Sequence, residues 1–129
     1  MGWLRTAVGV ALIAAPKAPM RISGREEPTG ASVLLMRTIG VRDLVLGLGT
    51  VAAARADDAP SVRSWTSAAL ASDSMDTLIS LASIRSIGRR DAIGAALLAF
   101  VFALGDLLAL RGEPEEDFVP FGLAAVPVL

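Results

Sequence analysis

The stretch AIGAALLAFVFALGDLLAL, residues 92–110, decides the class of fold. It holds nineteen residues and one charge, Asp106. At about 1.5 Å per residue, a helix of that length comes close to crossing a ~30 Å hydrocarbon core. It leaves no polar face to show to water, which a surface helix of a soluble domain would need. On a helix, Ala92, Ala95, Ala96, Ala99 and Ala103 cluster with Asp106 within about 100° of arc, while Leu97, Leu98, Phe100, Val101 and Leu104 take the other side. Small and polar residues would face neighbouring helices, branched and aromatic ones lipid.

The rest of the chain agrees with that class. Its 129 residues are 53% hydrophobic, with a mean hydropathy of +0.60, the range of a small polytopic membrane protein and of a single domain. Twelve basic and thirteen acidic side chains nearly cancel, so no basic field exists to hold nucleic acid. Cysteine is absent, which excludes disulfides, thiolate metal sites and a cysteine nucleophile. His, Tyr, Asn and Gln are also missing. Without imidazole, most acid–base and zinc-site designs are closed. No spacing matches a phosphate loop, a zinc site or a nucleophile elbow, and Gly47–x–Gly49 is too weak to read as nucleotide binding. The expectation is a protein without catalytic, cofactor or metal residues, and not an enzyme. Arg outnumbers Lys eleven to one beside abundant Ala and Gly, which reads as a bacterial, GC-rich coding bias.

Working outward from residues 92–110, three further apolar segments alternate with charged joints. The expected fold is an all-α integral membrane four-helix bundle of up-down topology with a short first helix. Residues 1–111 would form that domain, with helices over about 2–15, 30–54, 62–84 and 90–110, and residues 112–129 an acidic and then apolar tail. The joint at 17–29 carries Pro19, Gly24 and Pro28, expected to break any helix. Residues 55–63 read as a polar turn with Pro60 at its centre, and 85–90 as a basic turn. The first segment would reach only ~21 Å. It reads as a short spanning helix, of a reading frame that starts upstream. A cleaved signal peptide, with Arg5 before the apolar run and small residues near Ala15 and Ala18, is an alternative, as is a soluble amphipathic helix.

The charges inside these segments are the candidate functional residues. Residues 36–49, MRTIGVRDLVLGLG, carry Arg37, Arg42 and Asp43; the third segment carries Asp73 and Asp76; the fourth carries Asp106. Near the centre of a spanning helix each charge costs roughly 2.5–3.5 kcal/mol, while a Leu, Ile or Val returns only ~0.3–0.6. The second segment therefore inserts only with neighbours that supply partners, and charges so placed mark structural or functional sites. Arg42 and Asp43 point about 100° apart and are poorly placed to pair with each other. Folding the second segment back on the third about Ala59 instead brings Arg42 level with Asp76, and Asp73 one turn away. Thr66, Ala69, Asp73, Asp76, Ser80 and Ser83 form one small, polar stripe, and Gly40, Asp43 and Gly47 a matching one.

Two readings of this cluster stay open. Arg42 with Asp76 would fix helix register, or Asp73 and Asp76, three apart on one face, would hold a cation or share a proton. Arg37 and Arg42 would neutralise that pair, or Arg37 would snorkel to an interface. Asp43 would cap hydroxyls such as Ser80 or Thr77, and Asp106 would reach interfacial water.

Arg37, Gly40, Arg42, Asp43 and Gly47 form R-x-x-G-x-R-D-x-x-x-G. This resembles the motif of an uncharacterised family of small four-helix bacterial integral membrane proteins with Gly-x-Arg-Asp in the second helix. In that family a first helix ends in Ala-Pro, here Ala15-Pro16, and a short irregular joint follows, here MRISG from Met20 to Gly24. The next helix often carries an aspartate pair, matched by Asp73 and Asp76. The resemblance covers about residues 2–110, departs in the short first helix and the proline-containing tail, and implies a location and four helices but no activity.

The functional expectation is a structural or accessory membrane subunit; the alternative is a transporter-like or proton- or cation-conducting module using Asp73 and Asp76. Its partners would be the lipid bilayer and a second copy or a membrane protein, and its location the plasma (inner) membrane, multi-pass. Lys17, Arg21, Arg25, Arg85, Arg89 and Arg90 outnumber Arg5, Arg55, Arg63 and Arg111 on the opposite side, which turns the first and third joints to the cytoplasm and both termini outward.

Overall fold

The structure, a computed structural model, describes residues 1–22 and 28–112. The tail beyond Gly112 and the centre of the first joint fall outside the described residues. Within them the protein is all-α, with six helices and no strand: α1 (Gly2–Ala14), α2 (Ala18–Ile22), α3 (Gly30–Arg55), α4 (Ala59–Ala82), α5 (Ile84–Ile87) and α6 (Arg89–Gly112).

Local chemistry sets the ends. Thr29 caps α3 by accepting the Ser32 N–H at 3.2 Å, and Asp58 caps α4 by accepting the Ser61 N–H at 3.1 Å. The turn between them is tighter than expected. Asp57 takes a left-handed backbone (φ 52°), a conformation Asp tolerates, and the chain re-enters helix at once. Pro60 therefore lies in the first turn of α4, not at the centre of a turn, because a missing N–H costs nothing there. The same tolerance admits Pro19 into α2, so the first joint contains a short helix where a break was expected. The basic turn likewise contains α5, and Gly88 (φ 87°) supplies the left-handed residue that starts α6.

α1 packs on α3, α3 on α4, and α4 on α6. Where numbers rise along α1 or α4 they fall along α3: Gly9 meets Gly40 and Leu44, Gly2 meets Gly47 and Val51, Arg42 meets Asp76, and Gly49 meets Trp65. Both pairs are thus antiparallel. Glycine makes the α1–α3 seam possible. A Cβ on Gly9 would lie 2.5 Å from the Leu44 nitrogen and 2.7 Å from the Gly40 oxygen, and one on Gly47 would lie 2.8 Å from the Gly2 oxygen. Without side chains there, the two backbones touch. Gly40 and Gly47 therefore face α1, while Arg42 and Gly49, seven residues apart and so on one face, turn toward α4.

Burial is inverted relative to a water-soluble core. Arg5, Asp43, Thr66, Asp73 and Asp106 are buried, beside a mostly small apolar set of Met20, Val51, Ala53, Ala69, Ala92, Ala96 and Ala103. Leu34, Leu35, Leu78, Ile79, Leu97, Leu98, Phe100 and Val101 are exposed. The inward stripe of α4 appears as expected at Thr66, Ala69 and Asp73; on α6 Ala95 turns outward and the buried arc narrows to Ala92, Ala96, Ala103 and Asp106. By length and composition, α6 (mean hydropathy 2.3 over its apolar window) is the described helix able to cross a membrane, where four spans were expected. α1 is apolar but shorter.

Candidate functional site: a buried guanidinium among carboxylates from three helices

Each of the four long helices contributes a charge to one buried centre. Arg5 enters from α1, Arg42 and Asp43 from α3, Asp73 and Asp76 from α4, and Asp106 from α6. Arg5 is the hub and is 2% exposed. Its Nη1 and Nη2 donate to Oδ1 and Oδ2 of Asp73 in a fork, with Nη1 at 3.3 Å. Nη1 also donates to Asp43 Oδ1 at 3.3 Å, and Nη2 to Asp106 Oδ2 at 2.7 Å. The Phe102 ring covers the guanidinium at 5.1 Å. A planar fork with several fixed donors suits such a role, and a lysine could not reproduce it.

Arg42 forms a second, shallower layer. Its Nη1 donates to Asp76, while Nε and Nη2 donate to Asp43 Oδ1 at 3.2 and 3.0 Å. The level match of Arg42 with Asp76 is therefore present as an ion pair. The adjacent Arg42 and Asp43 also pair, contrary to expectation, because the long arginine stem curls around the helix and closes the angular gap. Asp43 Oδ1 thus accepts from both guanidiniums and ties the two layers together.

Three expectations about single residues change. Arg37 is exposed and stands apart from the centre, since it lies about 140° around α3 from Arg42. Asp43 binds arginines and caps neither Ser80 nor Thr77; the Thr77 hydroxyl donates to the Asp73 carbonyl instead. Asp106 is buried at 2% exposure and held by Arg5, not by interfacial water. Arg5, the hub, was missed. In sequence it sits in the first turn of a short apolar run, where an arginine reads as flanking charge. The one available signal was the acid excess of the inner segments, with four carboxylates against Arg37 and Arg42.

Polar groups in the surroundings are satisfied. Among the described residues no buried side-chain nitrogen or oxygen lacks a hydrogen-bond partner. Thr38, Ser64 and Ser74, all on exposed positions, donate back to the carbonyl one turn earlier, as do Thr6, Thr50 and Thr66. Among these residues no three carboxylates converge to hold a metal ion; they ring the Arg5 head. Comparison with family models, with curated proteins and with solved structures finds no match. What the site does rests on its own geometry: its arginine–carboxylate pairs clamp four helices together.

Proposed function

We propose that the protein is a small multi-pass membrane protein, a structural or accessory subunit, whose helices are fixed in register by the Arg5-centred ionic cluster. The inverted burial carries this reading. Water would leave Leu, Val, Ile and Phe inside and charges outside, whereas lipid favours an apolar exterior and polar groups paired within. The back-bonded hydroxyls add support, because a hydroxyl facing hydrocarbon must be satisfied inside its own helix. α3 and α4 enter the bilayer on the strength of the partners that α1 and α6 supply. The test is an alkaline carbonate wash of membranes from expressing cells. The full chain stays in the pellet under this reading, and release into the supernatant would end it.

A second reading, proton or cation conduction, is favoured by one observation. The cluster sets four carboxylates against two guanidiniums, and the Asp76 side chain is 36% exposed. An uncompensated acid in low dielectric is stabilised by a proton or a cation. Reconstituted vesicles with a trapped pH dye separate the two: a flux lost in Asp76→Asn supports conduction, and no flux above empty vesicles supports the structural role.

A further inference from the structure

The two ends of the molecule differ in charge and in aromatic content. Because α1 and α4 run antiparallel to α3, the end of α1, all of α2, the end of α4, all of α5 and the start of α6 share one end. That end exposes Lys17, Arg21, Arg85, Arg89 and Arg90. None of the five forms an ion pair among the described residues. Ile22, at 88% exposure, and Ile87 stand beside them as apolar side chains on α2 and α5. The neighbouring acid, Asp91, is partnered. The opposite end carries both tryptophans: Trp3, stacked on the Arg55 guanidinium at 5.0 Å, and Trp65 against Gly49. Asp57 and Asp58 lie there too.

We infer that the α2–α5 end is a docking surface for anionic phospholipid headgroups, resting on the membrane reading above. Charge complementarity and placement select this occupant. Tryptophans at one end mark one interface of a bilayer, so the basic end lies at the other, where headgroup phosphates are the nearest anions. Short helices that show isoleucine and arginine side by side suit the headgroup–acyl boundary, since the arginine reaches phosphate while the isoleucine enters the apolar layer. A soluble acidic partner would give no role to Ile22 at this depth. The basic groups come from three separate elements, so the surface is assembled by the fold and is not a single charged run.

The experiment places the full chain in nanodiscs of phosphatidylcholine with a minor fraction of phosphatidylglycerol. Lipids retained on the protein are counted by native mass spectrometry. Phosphatidylglycerol is expected to be enriched about fivefold over its bulk share, the equivalent of one basic group at the surface. The enrichment falls toward unity in Arg85→Gln/Arg89→Gln/Arg90→Gln, and in high salt as screening grows. The control Arg55→Gln/Arg63→Gln, at the opposite end, keeps it. Equal retention of both lipids by a protein that does insert overturns this inference alone. Binding of soluble polyphosphate in pure phosphatidylcholine discs, with no lipid preference, would reassign the surface to a soluble polyanion and overturn it as well. Failure to enter discs of either composition removes the membrane reading, and this inference with it.

Discussion

Arg5 on α1 grips both carboxylate oxygens of Asp73 on α4, across 68 residues of sequence. The same guanidinium reaches Asp43 and Asp106, so one side chain from the shortest of the four long helices closes the assembly of the other three. Such a residue is costly to remove, because its loss takes from Asp106 its arginine and leaves Asp43 and Asp73 only the more exposed Arg42.

Arg5→Leu should therefore destabilise the protein by about 3–5 kcal/mol, the cost of leaving buried charge without its partner. Arg5→Lys should recover only part of it, since an ammonium cannot satisfy the Asp73 fork and Asp106 together. Thermal unfolding in mild detergent measures both, and a leucine variant as stable as the parent would remove Arg5 from the centre of the fold.

Arg42 and Asp76 should be coupled more weakly. Their side chains are 29% and 36% exposed, against 2% and 4% for Arg5 and Asp73. A double-mutant cycle of Arg42→Leu and Asp76→Leu is expected to give about 1 kcal/mol, discounted for that exposure. The corresponding cycle of Arg5→Leu and Asp73→Leu should give clearly more. Equal coupling in the two cycles would contradict the layered arrangement.

Glycine substitutions should divide by place. Gly9→Ala drives a methyl into the α3 backbone and should cost about 1–3 kcal/mol. Gly94→Ala meets nothing within 4 Å, and removing a helical glycine should gain about 0.5–1 kcal/mol. Parallel melting curves test the contrast, and similar effects at both sites would mean that α1 does not lie against α3 as described.

The Asp58 cap should give stability a shallow acid dependence. Its hydrogen bonds from Ser61 hold the carboxyl below the ordinary carboxylate range. A folded-state value below the unfolded one stabilises above the unfolded pKa, near 3.9, and is lost as pH falls through the folded value. Asp58→Asn keeps a capping oxygen, and the parent's advantage over it should shrink as the pH falls from 6 toward 3. Melting temperatures of the two proteins across that range read the sign, and a gap that widens toward acid would reverse it.

What the sequence determined was local. The helix at 30–54 and the inward faces of Gly40, Asp43, Gly47 and of Thr66, Ala69, Asp73 follow from a 3.6-residue period, which a single chain displays openly. The pairing of Arg42 with Asp76 was also within reach, because a short turn fixes the depth of both partners. Tertiary structure alone decided the rest. Arg5 finds Asp43, Asp73 and Asp106 at separations of 38, 68 and 101 residues, and no local rule joins positions so far apart. Arg37 and Arg42 look alike in one apolar segment, yet only the docking of α4 on one face of α3 separates the paired arginine from the exposed one. Periodicity says which residues share a face; which face meets which partner is fixed by packing, through backbones that touch only where Gly9, Gly40 and Gly47 leave room.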